Sequence, residues 1–151
     1  MKILVFGVES TRARQPLERV LARLGHETFA TSDCDAAVTC IGHEGIPVII
    51  ADGRLPKFGW IDLCRRLRAG GSKTRVHFIL IEDANADESH EEWAIEAGVD
   101  DFLGQVADES ELRRRLRLAA GRTGSAKIAG IGLSGGPNPV WEDFMRTWSQ
   151  S

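Results

Sequence analysis

The chain predicts a doubly wound α/β fold, a parallel sheet with helices on both faces, and three observations predict it. Short apolar runs alternate with helical periodicities up to about residue 120. Two of the runs, residues 48–51 and 76–81, are rich in Val and Ile with no polar alternation, as strands buried on both faces require. The segments between the runs place their apolar residues at i, i+3, i+4, i+7, the stripe of a helix lying on a sheet. Strict β-α alternation then implies parallel strands with right-handed crossovers.

Taken in order, residues 3–6 read as the first strand, and Leu17, Val20, Leu21 and Leu24 as the inner stripe of the first helix. Gly25 stands where a helix-ending glycine belongs, just before a second strand at residues 28–30. The third strand is residues 48–51, followed by a helix striped with Trp60, Leu63, Cys64 and Leu67. The fourth strand is residues 76–81 and the fifth residues 102–103. Leu112, Leu116 and Ala119 line the last helix. This unit, residues 1–120, has the size of one domain with a core that needs neither disulfides nor a structural metal. Cys34, Cys40 and Cys64 are odd in number and form no C-x-x-C pair, so they read as reduced core thiols of a cytoplasmic protein.

Composition narrows the function classes. With 42% hydrophobic and 27% charged residues the chain is that of an ordinary globular protein. A net charge of −3 and a pI near 5.8 argue against nucleic acid and anionic membranes as partners. No apolar run approaches the roughly 20 residues of a bilayer span, and the amino terminus has no signal-peptide pattern.

Residues 121–151 differ. Gly121, Gly124, Gly130, Gly132, Gly135 and Gly136 make a linker, which ends at Asn138-Pro139, an N-cap followed by a proline at the first helical position. Val140, Trp141, Phe144, Met145 and Trp148 then share one side of a short helix. A helix this short needs a surface, either its own domain or another chain, which makes Trp141, Phe144, Met145 and Trp148 candidate partner-binding residues. Gly130 to Gly135 also satisfies G-x-G-x-x-G, but Pro137 and Pro139 block the helix that such a nucleotide loop must open.

Ligands of an open parallel sheet bind beyond the carboxyl ends of its strands. The polar residues there are Glu9 and Ser10, Asp52, Glu82 and Asp83, and Gln105. Asp52, which ends an apolar run, reads either as a loop cap or as a nucleophile.

Four stretches resemble response-regulator receiver domains over residues 1–120: Lys2-Ile3-Leu4-Val5, Leu24-Gly25-His26-Glu27, Ile50-Ala51-Asp52 with Leu55-Pro56, and Ala97-Gly98-Val99-Asp100-Asp101-Phe102-Leu103. The resemblance implies a flavodoxin-like (βα)5 sheet of order 2-1-3-4-5 and a role in phosphorelay signalling. In that chemistry an aspartate attacks a phosphoryl group while Mg²⁺, held by neighbouring carboxylates, offsets the repulsion between anions. A lysine and a hydroxyl then hold the phosphoryl oxygens. Matched residue by residue, Asp52 is the phosphoacceptor and Phe102 the aromatic switch. The remaining positions depart from the pattern. The acid pair aligns with Val8-Glu9, leaving Glu9 and Asp52 as the Mg²⁺ ligands; the hydroxyl falls on Glu82 or Asp83; the lysine-proline pair falls on Gln105-Val106.

A carboxylate about 5 Å from a phosphoryl at an effective dielectric near 20 costs roughly 3 kcal/mol per charge pair. Putting Glu82 or Asp83 where a hydroxyl donor belongs therefore turns attraction into repulsion, and Gln105 supplies no cation. Arg54 reads as a substitute cation or as a solvated arginine, and Glu82 or Asp83 as a replacement metal ligand. The expectation is an atypical, stand-alone receiver domain, not an enzyme, acting mainly through protein contacts with phosphorylation impaired or absent. The alternative is a conventional phosphoacceptor that receives its phosphoryl group on Asp52 from a histidine kinase or phosphotransfer protein. Glu88, Glu91, Glu92 and Glu96 oppose Arg113, Arg114, Arg115 and Arg117 on the fourth and fifth helices. They suit either a homodimer through those helices or two solvated faces with weak internal ion pairs.

Overall fold

Side chains alternate along a strand, so one strand feeds two layers. In β1 (Lys2–Phe6), Ile3 and Val5 enter one apolar layer, while Leu4 and Phe6 enter another. Strands β3 (Val48–Asp52) and β4 (His77–Ile81) divide in the same way: Val48, Ile50, Ile79 and Ile81 to one side, Ile49, Ala51, Phe78 and Leu80 to the other. Burial on both faces is why these two sequences carry no polar alternation. The computed structural model describes residues 1–7, 11–54, 59–70, 75–82, 88–104 and 109–123. It adds β2 (Glu27–Thr31) and β5 (Asp101–Leu103) at the edges, giving a five-stranded sheet of order β2-β1-β3-β4-β5 in which every pairing is parallel. The second strand is longer than its apolar run because Glu27 and Thr31, its polar ends, are held by pairing with Lys2 and Phe6.

Helices α1 (Thr11–Arg23) and α5 (Glu109–Thr123) close the first layer with Leu17, Val20, Leu21, Leu112, Leu116 and Ala119. Helices α2 (Cys34–Glu44), α3 (Gly59–Ala69) and α4 (Glu88–Ala97) close the second with Ala37, Ile41, Trp60, Leu63, Cys64, Ala94 and Ala97. The doubly wound architecture is the one the sequence predicts. No helix of the described residues is long and apolar enough to cross a membrane.

The amino-terminal edge of the sheet is tied by one buried carboxylate. Asp100 accepts from the Phe78 N–H at 2.9 Å, from Arg68 at 2.6 Å and from Arg75 at 2.5 Å. Burial alone would push its pKa up. The Phe78 N–H and the two guanidinium groups outweigh that and hold it below the usual carboxylate range. Arg68 spends its other N–H groups on the carbonyls of Gly98 and Val76, so one arginine links the end of α3 to β4, α4 and β5. Gly98 ends α4 at φ 101°, and a Cβ there would lie 2.9 Å from the Arg68 Cγ. Both the backbone and the arginine stem therefore require glycine.

Candidate functional site

The carboxyl edge is framed by backbone bonds that continue the ladders past the strands. The N–H groups of Gly7, Gly53 and Glu82 donate to Thr31, Ile81 and Leu103 at 2.9–3.0 Å. Asp52, last residue of β3, pairs with Ile81 and is only 8% exposed. Its Oδ1 accepts the backbone N–H of Arg54 at 2.7 Å, the turn in which an aspartate caps the chain two residues on. The Arg54 side chain folds back over the same oxygen, with Nε 3.5 Å away and the side chain 21% exposed. The guanidinium thus lies against the carboxylate.

The other expected site residues are less gathered. Glu82 is exposed at the end of β4. Phe102 is half-buried and packs against the layer closed by α2, α3 and α4. Glu9, Asp83 and Gln105 lie outside the described residues, as do Trp141, Phe144, Met145 and Trp148 of the tail and the glycine-rich G-x-G-x-x-G segment.

The Mg²⁺ ion that the resemblance implies needs several carboxylate or carbonyl oxygens around it. Among the described residues no group of three or more His, Cys, Asp or Glu side chains converges. At the end of β3, Asp52 already has Oδ1 engaged by a backbone N–H and flanked by a guanidinium. The described residues do not fit the ion.

The three thiols are held towards their neutral forms. Burial raises the pKa of Cys34 and Cys40, and pushes Cys64 up to about 11. Only Cys64 is a core residue; Cys34 and Cys40 are half-buried at the margin of the second layer, because their places on α2 face its edge and not its centre.

On the expected interaction face, Glu91, Glu92 and Glu96 are exposed on α4 beside Trp93 at 41% and Ile95 at 62% exposure. On α5, Arg114 and Arg115 bond Glu111 at 2.6 and 2.9 Å, and Arg115 also reaches Asp101 at 2.9 Å. Part of the basic charge is thus neutralised within α5 and by β5. Sequence reasoning missed these pairs, although Glu111 with Arg115 is a legible i, i+4 spacing.

A parallel sheet of this order with an aspartate ending its central strand is a pattern that known proteins share. The profile of the response regulator receiver domain family matches residues 9–117. The chain belongs to that family, which serves two-component signalling. Its curated relatives include the response regulators MprA of Mycolicibacterium vanbaalenii, 27% identical, and of Mycobacterium avium, 30% identical; each match covers 82% of this chain and 52% of the relative. The chain spans about half the length of those relatives. Among solved structures, a receiver domain of a sensor histidine kinase from Pseudomonas aeruginosa, with a magnesium ion coordinated in its active-site cleft, is 28% identical at a TM-score of 0.68. The match covers 80% of this chain and 97% of that one. A response regulator from Chloroflexus aurantiacus is 25% identical at a TM-score of 0.69, with 80% and 98% covered. Receiver domains are signalling modules and not classical enzymes, and response regulators work with histidine kinases and effectors.

Proposed function

We propose that this receiver domain acts mainly through protein contacts, as a cytoplasmic signalling module in which phosphorylation of Asp52 is impaired or absent. The observation that carries the reading is the Asp52–Arg54 arrangement: the carboxylate oxygen that accepts the Arg54 N–H at 2.7 Å also lies 3.5 Å from the guanidinium. A carboxylate so engaged is a weaker nucleophile and a poorer metal ligand than one facing water. The residue types at the aligned positions point the same way, since Glu82 or Asp83 stands for a hydroxyl, Gln105 for a lysine, and Val8 for an acid.

A second reading has its own support. Asp52 ends the central strand, buried and in register with Ile81, the place a phosphoacceptor occupies in this family. On that reading a histidine kinase or phosphotransfer protein phosphorylates Asp52, with Glu9 as a remaining Mg²⁺ ligand. Intact-protein mass after incubation with Mg²⁺ and acetyl phosphate, wild type beside Asp52→Asn, separates the two. We expect no phosphoryl adduct; an adduct on wild type and not on Asp52→Asn overturns the contact-driven reading.

The partner surfaces are the α4–α5 face, for a second copy of the chain, and the aromatic side of the tail at Trp141, Phe144, Met145 and Trp148. Exposed Trp93 and Ile95 amid the acids of α4, with Leu118 exposed on α5, support the first. Sedimentation of wild type against Trp93→Ser/Ile95→Ser tests it: the dimer population is expected to fall in the variant, and an unchanged oligomeric state removes this face.

A further inference from the structure

We propose that the Arg54 guanidinium is the resident counter-cation of Asp52, neutralising the carboxylate as a divalent ion would otherwise do, and that it makes the site selective against such ions. The inference rests on Asp52 being the functional carboxylate, and it adds a specificity-determining residue that the receiver pattern does not contain.

The geometry follows from the local chain. Asp52 stops β3 and caps the turn behind it, so its Oδ1 draws in the Arg54 backbone N–H at 2.7 Å. That bond fixes the Arg54 backbone beside the carboxylate, and the side chain returns to the same oxygen with Nε at 3.5 Å. The pair sits in a largely covered place, with side-chain exposures of 21% for Arg54 and 11% for Asp52. Water therefore screens it less than it screens a surface pair. An arginine is permanently charged, so this cation stays in place at any working pH.

Two consequences follow for a divalent ion. The oxygen it would bind already accepts a hydrogen bond and has lost part of its capacity for a second hard ligand. The ion would also meet a like charge on the same carboxylate, a repulsion that falls slowly with distance in a covered site. Binding Mg²⁺ then requires the guanidinium to swing away, and the carboxylate gives up one cation to gain another. Removing the charge at position 54 relieves both obstacles.

Calorimetric titration of Mg²⁺ and of Mn²⁺ into the full chain tests this with wild type, Arg54→Ala, Arg54→Gln and Arg54→Lys. Arg54→Gln keeps a long stem in case the alanine variant folds poorly, and Arg54→Lys keeps the charge. We expect Arg54→Ala and Arg54→Gln to bind the ion about tenfold more tightly than wild type or better, and Arg54→Lys to stay near wild type. Equal affinities in wild type and both neutral variants, including no binding in any of them, overturn the proposal. Adding Asp52→Asn to Arg54→Gln shows which idea has failed. If wild type binds the ion through Asp52 as tightly as Arg54→Gln does, the Asp52 site stands and the counter-cation role falls. If the tighter binding of Arg54→Gln survives loss of the Asp52 charge, the ion sits elsewhere, and both the role of Arg54 and the reading of Asp52 as the functional carboxylate fall.

Discussion

The two ends of one sheet carry the same chemical pair, an aspartate and an arginine, used in opposite ways. At the amino edge Asp100 has both oxygens engaged: Oδ2 by Arg68 and the Phe78 N–H, Oδ1 by Arg75. Its arginine Arg68 is itself committed to the Gly98 and Val76 carbonyls. At the carboxyl edge both contacts of Asp52 to Arg54 fall on Oδ1, and the guanidinium stands at 3.5 Å, not at close hydrogen-bond distance. The first arrangement joins elements far apart in sequence, α3, β4, α4 and β5. The second joins residues two apart. A buried carboxylate that ties several elements reads as structure, and one engaged by its own turn at the carboxyl edge of the sheet reads as a site residue.

The same substitution at both ends gives the sharpest test, and the larger effect belongs to Asp100. Asp100→Asn removes the charge that faces two guanidinium groups and puts an amide N–H₂ where one of them needs an acceptor. Taking the carboxylate away from the partly buried Arg68, whose side chain is 23% exposed, and from the Phe78 N–H costs about 3 kcal/mol, which for a chain of this size lowers the melting temperature by roughly 10 °C. Calorimetric melting of the variant checks it. A loss no greater than that of an ordinary surface substitution would mean that Asp100 is not the tie it looks like.

Acid titration sharpens the contrast further. The pKa of Asp100 is depressed in the fold, so the unfolded chain takes up its proton first as pH falls. The stabilisation is therefore fully present above the unfolded carboxylate value of about 3.9 and is lost as pH drops through the lower folded value. Denaturant midpoints measured from neutral pH downwards are expected to show a constant gap between wild type and Asp100→Asn above pH of about 4, closing below it. A gap that closes between pH 5 and 7 would show that the lost stability does not follow the Asp100 carboxyl.

The fold was legible because its signals are local and repetitive. The apolar runs of β3 and β4, without polar alternation, read as strands covered on both sides, and the Leu17–Val20–Leu21 spacing reads as one helix face. The Asp100 tie was not legible in the same way. Arg68 lies in α3, while Val76 and Asp100 lie just before β4 and β5, and no spacing rule connects residue 68 with residue 100. The resemblance quoted Gly98 and Asp100 as matched residues without a physical role, and packing supplies it: the Arg68 stem fills the space a Cβ at Gly98 would need. At the other edge, position in the sheet singled out Asp52, and closeness in sequence made Arg54 a candidate. The choice between a solvated arginine and one folded over the carboxylate depends on a side-chain torsion, which sequence does not encode.

The smallest expected effect is that of Asp52→Asn on stability, and its smallness is informative. Asparagine keeps an oxygen that can accept the Arg54 N–H, so the turn after β3 survives. The ion pair to Arg54, at 3.5 Å between residues two apart, is lost. A net change within about 1 kcal/mol is expected, against the threefold larger loss at Asp100. The two variants should be melted in one buffer, because the quantity that matters is their difference. Equal losses would show that Asp52 is held as firmly as Asp100 and would move its main role from the site to the scaffold. A small change, or a slight gain, is what a carboxylate kept for something other than stability produces, since removing a buried charge also relieves its desolvation.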